Sequence, residues 1–298
     1  MTKQTGYPHI DKPWMKYYEN ADIDYQTTVD TNTNVTEYLK QKNEDTMNAV
    51  ASTYYGNKTT YKEFFEQVDS YSKMFSSLGV KKGDRIMKLV PNIPESGKMW
   101  LGASQIGAVS DFADPRPDSL DIKANAKKIL ELIKFEKANY IVALDKCYLG
   151  MLKPIEHELK ELGIQQILTV SATDSITLMG KIDYLRDVLQ YQKLKNIRIG
   201  ANKIQQLKSY EAVLQKLKSM KTENEYYKEA VKTSPLEILR CQDLLKETEN
   251  ETFTKVYDPD LINYIGHTSG TSGARPKPIT LTNGNHISSA EQLFQAGA

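Results

Sequence analysis

The sequence predicts an α/β fold in which a mostly parallel sheet is flanked by helices. Between residues 59 and 170, segments with helical spacing of apolar residues alternate with short β-prone runs. This alternation is typical of β–α–β units, because each helix returns the chain to the same edge of the sheet. The chain has 298 residues, of which 40% are hydrophobic, and it can therefore bury the core that such a fold requires.

The helix predicted after residue 59 has the clearest signals. Apolar side chains recur at helical spacing across residues 61–78. Thr60 is the expected N-cap, and Glu63 is its expected capping-box partner. Gly79 stands where a left-handed residue ends such a helix. The run RIMKLV then predicts a short strand.

The later units continue the alternation. PESGKMWLGASQIGA predicts a helix with small residues on one face, which suit close packing, and VSDFA predicts the next strand. Residues 121–138 predict an amphipathic helix, and residues 139–144 predict a buried strand. Residues 150–163 and 164–170 predict one more helix and one more strand.

The chain divides into four predicted parts. Residues 1–50 form a polar lead-in with one helix, NVTEYLKQK, and residues 51–175 form the α/β subdomain. Residues 176–255 are a charged helical insertion or divergent segment, basic first and then rich in glutamate. We interpret its basic helix as a solvated surface, although a site for phosphate or an anionic membrane is the alternative. Residues 256–298 contain a last strand, a glycine-rich loop and a helix.

Composition narrows the class of protein. The formal net charge of +1 gives no indication of a nucleic-acid partner. Cys147 and Cys241 are far apart and have no companions at metal spacing, so neither a disulfide nor a metal site is expected. The N-terminus lacks an apolar signal region, and YIVAL is too short to span a membrane. We therefore expect a cytoplasmic protein without a membrane span, and a homo-oligomer stays open.

The run HTSGTSGARPKPIT, residues 267–280, predicts a phosphate-binding loop. It lies between two predicted strands, LINYIGH and ITLT, and Asn283 or Asn285 is the expected cap of the helix that follows. Gly270 and Gly273 permit left-handed backbone and close approach to a ligand, and successive amides form an anion-binding nest. The spacing matches neither a Walker loop nor a dinucleotide fingerprint. A surface hairpin without a ligand is the alternative.

Two blocks of the sequence resemble the adenylate-forming (AMP-binding) enzyme superfamily, which includes acyl-CoA synthetases. The family loop reads aromatic-Thr-Ser-Gly-Ser/Thr-Thr-Gly, one residue, then Pro-Lys-Gly, and HTSGTSGARPKPITLTNGN is similar to it. Upstream, TTYKEFFEQ, LGVKKGDRI and VPNIPESGKMWLGASQIGA follow the order of the family's opening block. The resemblance covers about residues 50–170 and 255–298.

The resemblance implies the N-terminal part of the large domain of an ATP-dependent ligase. Such an enzyme joins a carboxylic acid to ATP, releases pyrophosphate, and passes the acyl group to a thiol such as CoA, with Mg²⁺ as cofactor. No catalytic residue and no metal ligand is assigned in this chain. The residues expected to bind the β- and γ-phosphates are Thr268, Ser269, Gly270, Thr271, Ser272, Gly273 and Lys277.

The loop also departs from the family pattern. Two residues, not one, separate Gly273 from Pro276, and Pro278 follows Lys277 where the family has glycine. Arg275 is a substitute cation if Lys277 does not reach the phosphates. His267 stands at the aromatic position, either as a phosphate contact or as a residue that fills the strand end.

The expected partner of this chain is the missing C-terminal half of the enzyme. Family members place the adenine motif, the ribose-binding aspartate and the catalytic lysine beyond the part that matches here. We therefore expect a fragment that is inactive alone. The alternative is a non-catalytic binding or scaffold half-domain with a degenerate phosphate loop.

Overall fold

A computed structural model describes residues 5–7, 11–20, 33–116, 121–177, 180, 224–268 and 277–295. The strands are β1 (Val50–Tyr54), β2 (Asn57–Thr60), β3 (Arg85–Leu89), β4 (Val109–Phe112), β5 (Tyr140–Leu144), β6 (Gln166–Val170), β7 (Glu237–Arg240), β8 (Ile262–His267) and β9 (Pro278–Thr282). Seven of them form one sheet in the order β7-β6-β5-β3-β4-β8-β9. All neighbours in it are parallel except β8 and β9. The predicted mostly parallel sheet is therefore confirmed.

Helices separate most of these strands along the chain. They are α1 (Met15–Asn20), α2 (Val35–Lys42), α3 (Tyr61–Ser77), α4 (Pro94–Gln105), α5 (Ile122–Glu136), α6 (Glu156–Glu161), α7 (Cys241–Glu247) and α8 (Asn283–Gln295). Residues 224–232 are also helical. No helix within the described ranges is both long enough and apolar enough to cross a bilayer.

The helix predicted at residues 150–163 is not continuous. A π turn at Tyr148–Leu152 and a 3-10 turn at Lys153–Ile155 precede α6. Pro154 lies in the 3-10 turn and has no N–H to donate to the preceding turn, so a regular α-helix cannot run through it.

Helices cover both faces of the sheet, as the predicted class requires. On one face α3, α4 and α7 pack on the strands through an apolar cluster that contains Phe75, Met99 and Leu244. On the other face α5, residues 145–159 and the helix at 224–232 enclose a second cluster. Neighbouring strand residues alternate between the two, since Ile86 belongs to the first cluster and Met87 to the second.

The signals at the ends of α3 are confirmed. The Thr60 hydroxyl accepts a hydrogen bond from the Glu63 backbone N–H at 3.3 Å, and the Glu63 carboxylate accepts one from the Thr60 N–H at 2.8 Å. Gly79 follows the helix with φ +82°, the left-handed conformation that glycine adopts without strain.

A β-hairpin before α3 was not predicted. Strands β1 and β2 pair antiparallel around Tyr55 and Gly56, which have φ of +46° and +77°. Positive φ at both central residues is the geometry of a tight two-residue hairpin turn. The tyrosine-rich run around it lacks the regular alternation that would have indicated strands.

The charged segment contributes to the main sheet. Strand β7 pairs parallel with β6 and forms one edge of the sheet, and α7 follows it. The sequence did not predict this strand, because its four residues, EILR, lie in a glutamate-rich run without alternation. The predicted basic helix falls in residues 181–223, outside the described residues.

The predicted cap of the last helix was wrong. Thr282 caps α8: its hydroxyl accepts from the Asn285 N–H at 3.2 Å, and the Asn285 side chain accepts from the Thr282 N–H at 3.0 Å. Asn285 therefore acts as the reciprocal partner of the cap, while Asn283 is turned into the protein.

Asn283 joins four parts of the chain from a fully buried position. Its carbonyl oxygen accepts from the Val35 N–H at 3.3 Å, from the Ser104 hydroxyl at 3.0 Å and from the Asn263 side-chain amide at 2.9 Å. Its own amide donates to the Asp258 carbonyl at 3.1 Å. The contacts link α2, α4 and β8 to the start of α8.

We expect Asn283→Ala to destabilise the protein by about 2–3 kcal/mol, because it leaves several buried polar groups without their shared acceptor. Urea unfolding measures the change. Asn285→Ala is the matched control on the same helix, where an exposed side chain should cost about 1 kcal/mol or less. Equal losses of unfolding free energy in both variants would contradict the role of Asn283 as a shared buried hydrogen-bond partner.

The close contact between α3 and α4 depends on Gly102. A Cβ added there would lie 2.8 Å from the Tyr71 Cβ and 3.0 Å from the Val68 carbonyl oxygen. We expect Gly102→Ala to destabilise the fold by about 1–3 kcal/mol through overpacking. Thermal unfolding tests this expectation.

Gly97→Ala is the control within the same helix, since a Cβ there meets nothing within 4 Å. It should stabilise the protein by roughly 0.5–1 kcal/mol, because alanine loses less backbone entropy in a helix. A neutral or stabilising Gly102→Ala would disprove the close packing.

Candidate functional site

A cleft of about 740 Å³ opens where three parallel strands end. Residues that follow β3 and β4 line it, together with α5 and the end of β8. Its polar lining includes Asn92, Arg116, Lys128 and Thr268. Ligands of parallel α/β sheets bind outside the carboxyl ends of the strands, so this is the expected place for a ligand.

The glycine-rich loop leaves the sheet at this edge through a closed neck. The Thr268 N–H donates to the Lys277 carbonyl at 3.0 Å, and the Lys277 N–H donates to the Thr268 hydroxyl at 2.9 Å. One residue further into the sheet, His267 pairs with Pro278 in the β8–β9 ladder. The predicted hairpin-like arrangement is therefore confirmed, and it holds residues 268 and 277 side by side.

Two of the predicted phosphate-binding residues lie on this neck. Thr268 and Lys277 are both exposed, and the Thr268 oxygen is already used as an acceptor within the neck. Contacts of either residue with phosphate stay a prediction. The other predicted residues lie outside the described residues: Ser269, Gly270, Thr271, Ser272 and Gly273.

A buried ionic cluster lies directly below the neck. His267 Nε2 is 2.7 Å from Asp111 Oδ1, and the two side chains are 8% and 0% exposed. Glu136, from the last turn of α5, lies beside them and forms an ion pair with Arg85 at 3.1 Å. We call Asp111, Glu136, His267 and Arg85 the neck cluster.

Burial and neighbouring charges shift the pKa values of two members of the neck cluster, His267 and Glu136. Burial alone would lower the pKa of His267, but the hydrogen bond and charge of Asp111, with the charge of Glu136, raise it above its ordinary value. Burial, followed by the charge of Asp111, raises the pKa of Glu136. The positive charge of a protonated His267 therefore compensates the negative charge of Asp111, and the charge of Arg85 compensates that of Glu136.

Asp111, Glu136 and His267 are the one set of His and acidic side chains, among the residues described, whose ligand atoms are near enough to share a metal ion. When His267 is protonated, its ring and the Arg85 guanidinium balance the charge of the two carboxylates. The His267–Asp111 bond would also have to break to admit a cation. We therefore treat the set as ion pairs and not as a metal centre.

Most of this cluster is not predicted by the sequence. His267 is expected there only as a phosphate contact or a filler of the strand end, and no prediction covers Asp111 or Glu136. One signal was available: VSDFA places an acid inside an apolar strand, where a buried charge needs a partner.

A buried lysine supports the other wall of the cleft. The Lys88 amino group is fully buried, donates to the Ser110 hydroxyl at 2.6 Å and lies 5.3 Å from the centre of the Phe112 ring. Burial lowers the pKa of Lys88 well below its ordinary value. Phe112 stacks on Tyr264, with ring centres 5.0 Å apart, so these contacts fix two aromatic walls of the cleft.

Comparisons with known proteins agree with this architecture. Acetyl-coenzyme A synthetase of Desulfatibacillum aliphaticivorans is 32% identical over 114 residues, or 34% of this chain and 17% of the relative. The same enzyme of Bartonella quintana is 26% identical over 211 residues, or 63% of this chain and 30% of the relative. The chain thus matches less than a third of the length of either relative.

Solved structures share the fold at low sequence identity. An anthranilate CoA ligase in complex with anthranoyl-AMP superposes with a TM-score of 0.54 at 13% identity, covering 86% of this chain and 36% of that one. A protein of Rhodopseudomonas palustris whose structure carries the name of a long-chain-fatty-acid CoA ligase gives a TM-score of 0.54 at 13% identity, covering 89% of this chain and 48% of that one.

A family model described as AMP-binding enzyme matches residues 39–297, charged segment included. The resemblance of the two sequence blocks is thereby confirmed. The match begins in α2 and continues through the cleft, the neck and α8, so it covers every element described above as part of the site. With most of its length inside that match, this chain belongs to the family of AMP-binding enzymes.

Proposed function

We propose that this chain forms the N-terminal, phosphate-binding portion of an ATP-dependent ligase that activates a carboxylic acid. The observation that carries the proposal is the position of the loop. A run of glycines and hydroxyls leaves the carboxyl edge of a parallel sheet through a closed neck, beside a polar cleft, within the stretch that matches the family. Backbone amides in such a loop suit the β- and γ-phosphates.

The chemistry requires stabilisation of negative charge. A carboxylate oxygen attacks the α-phosphorus of ATP, the bond from that phosphorus to the bridging oxygen breaks, and pyrophosphate leaves as the acyl-adenylate forms. Preorganised N–H and O–H donors stabilise the charge that pyrophosphate gains. The Thr268 N–H is used within the neck, so in this proposal the Thr268 hydroxyl proton and the amides and hydroxyls of residues 269–273 bind that group, and Lys277 supplies a positive charge.

Mg²⁺ enters this scheme with the nucleotide. When bound it neutralises phosphate charge and orients the triphosphate. The Thr268 hydroxyl is held within the neck, and the acids of the neck cluster are paired, so we assign neither to Mg²⁺. The protein's part in this step is to position the phosphates with the loop.

The acceptor of the acyl group is inferred from the relatives. The two sequence relatives are acetyl-coenzyme A synthetases, and the two superposed structures carry names of CoA ligases. We therefore propose CoA as the thiol that receives the acyl group. The matched part is a minor share of those proteins, so we also propose that these 298 residues need the rest of the fold for turnover.

The departures of the loop favour one other function, a non-catalytic half-domain. The backbone N–H and carbonyl of Lys277 are tied to Thr268, and Pro278 begins β9 without a backbone N–H. A loop that carries an extra residue before Pro276 and is held this way could keep its fold without binding nucleotide. Nucleotide titration separates the two functions.

We expect this chain to bind Mg–ATP and pyrophosphate in isothermal titration. Lys277→Ala should weaken both by roughly 10- to 100-fold, because a hydrogen bond to a charged group contributes about 1.5–3 kcal/mol. Lys58→Ala is the matched control, an exposed lysine on the separate β1–β2 hairpin, and it should bind like the unmodified chain. If the unmodified chain binds neither ligand, the half-domain function stands instead.

We expect no carboxylate-dependent exchange of labelled pyrophosphate into ATP by these 298 residues alone. The physical reason is that the loop binds phosphates but does not by itself align a carboxylate with the α-phosphorus. The assay uses acetate and benzoate, with unfolding curves to establish that the protein is folded. Exchange at the level of a complete ligase would contradict the need for the rest of the fold.

A further inference from the structure

The position of His267 links the loop to the sheet. It is the last residue of β8, and the next residue, Thr268, forms the neck with Lys277. Any displacement of His267 therefore moves the point at which the loop leaves the sheet.

The His267 ring extends the contact between β8 and β4 beyond the backbone ladder. Backbone pairing of these strands covers Ser110 with Tyr264 and Asp111 with Ile265, and it goes no further. The 2.7 Å bond from His267 to Asp111 continues the contact for two more residues, up to the neck. It is a side-chain bond between groups almost completely removed from water.

This bond depends on charge because of the groups that surround it. Asp111 faces His267 from β4 and Glu136 faces it from α5, and Arg85 of β3 compensates Glu136. If His267 is neutral, the buried Asp111 carboxylate loses its compensating charge, which is costly in a low-dielectric interior. Protonation of His267 thus favours the arrangement in which the neck is held against β4.

We propose that the imidazolium form of His267 is a positioning residue, which holds the neck of the phosphate loop against Asp111, and that loss of its proton loosens the neck. The consequence for ATP rests on the proposed function, whereas the effect on the neck does not. The folded protein raises the pKa of His267. This anchor, the charged contact of His267 with Asp111, is therefore complete below the unfolded pKa of about 6.5 and is lost as pH rises through the folded pKa.

The test follows the neck and the histidine in one ¹⁵N-labelled sample by NMR. Imidazole ¹⁵N shifts report the protonation of His267, and amide protection factors report the two neck bonds through the N–H groups of Thr268 and Lys277. Between about pH 6 and 9 we expect protection to fall roughly tenfold, because deprotonation leaves the buried Asp111 carboxylate without its compensating charge. The midpoint should coincide with the titration of His267.

Two variants separate positioning from a merely structural contact. His267→Gln keeps an amide donor near Nε2 but cannot gain a proton, so its neck protection should not change with pH. Asp111→Asn removes the charge and should lower the pKa of His267, which moves the midpoint to lower pH. His157→Gln, an exposed histidine of α6, is the matched control and should reproduce the unmodified curve.

Protection that stays constant across the pH range in the unmodified chain would overturn the proposal. So would a His267→Gln variant that keeps the original midpoint. If that variant does not fold, the unmodified curve and Asp111→Asn still decide the question.

Titration with Mg–ATP at both ends of the pH range distinguishes the two proposals. We expect the ATP dissociation constant of the unmodified chain to rise by about the same tenfold factor, with no such change in His267→Gln. Absence of ATP binding at every pH would reject the phosphate-binding function, while the amide data would still test the anchor. ATP binding that is equally tight at both ends, with a neck that loosens, would reject the link from neck to ligand.

Discussion

The pairing of β8 with β4 is the constraint on which the site depends. These strands lie far apart in sequence, and the His267–Asp111 contact spans 156 positions. Because the pairing is parallel, the end of β8 reaches the same edge as the ends of β3 and β4, where the cleft opens. Near the start of β8, the Asn263 amide donates to the Ser104 hydroxyl of α4, which holds the opposite end of the strand.

Buried ionisable side chains are concentrated around this pairing. Asp111 and Lys88 belong to two neighbouring strands, and both are fully removed from solvent. Each requires a partner, His267 for the acid and the hydroxyl of Ser110 for the amine. Such groups stabilise a fold less than apolar residues of similar size would. Their presence beside the sheet edge where a ligand is expected is consistent with a site whose side chains are held in place at a cost in folding stability.

The sequence predicted the elements that local signals control. Thr60, Glu63 and Gly79 fixed the ends of α3 correctly because capping is decided within a few residues. It did not predict β7, whose placement depends on β6, or the role of Asn283, which depends on three distant segments. The loop was located by its residue types, but its anchor was not, because Asp111 and His267 meet only after the sheet has formed.

The distance between β4 and β8 along the chain also shapes how the protein is made. During synthesis, β4 emerges long before β8 and presents an unpaired edge with a buried-type acid, Asp111, near its middle. Unpaired edges invite association with other chains, and pairings between remote segments form slowly. An acidic side chain on such an edge disfavours association with other chains, so Asp111, which later pairs with His267, is also suited to keep the unfinished sheet from associating.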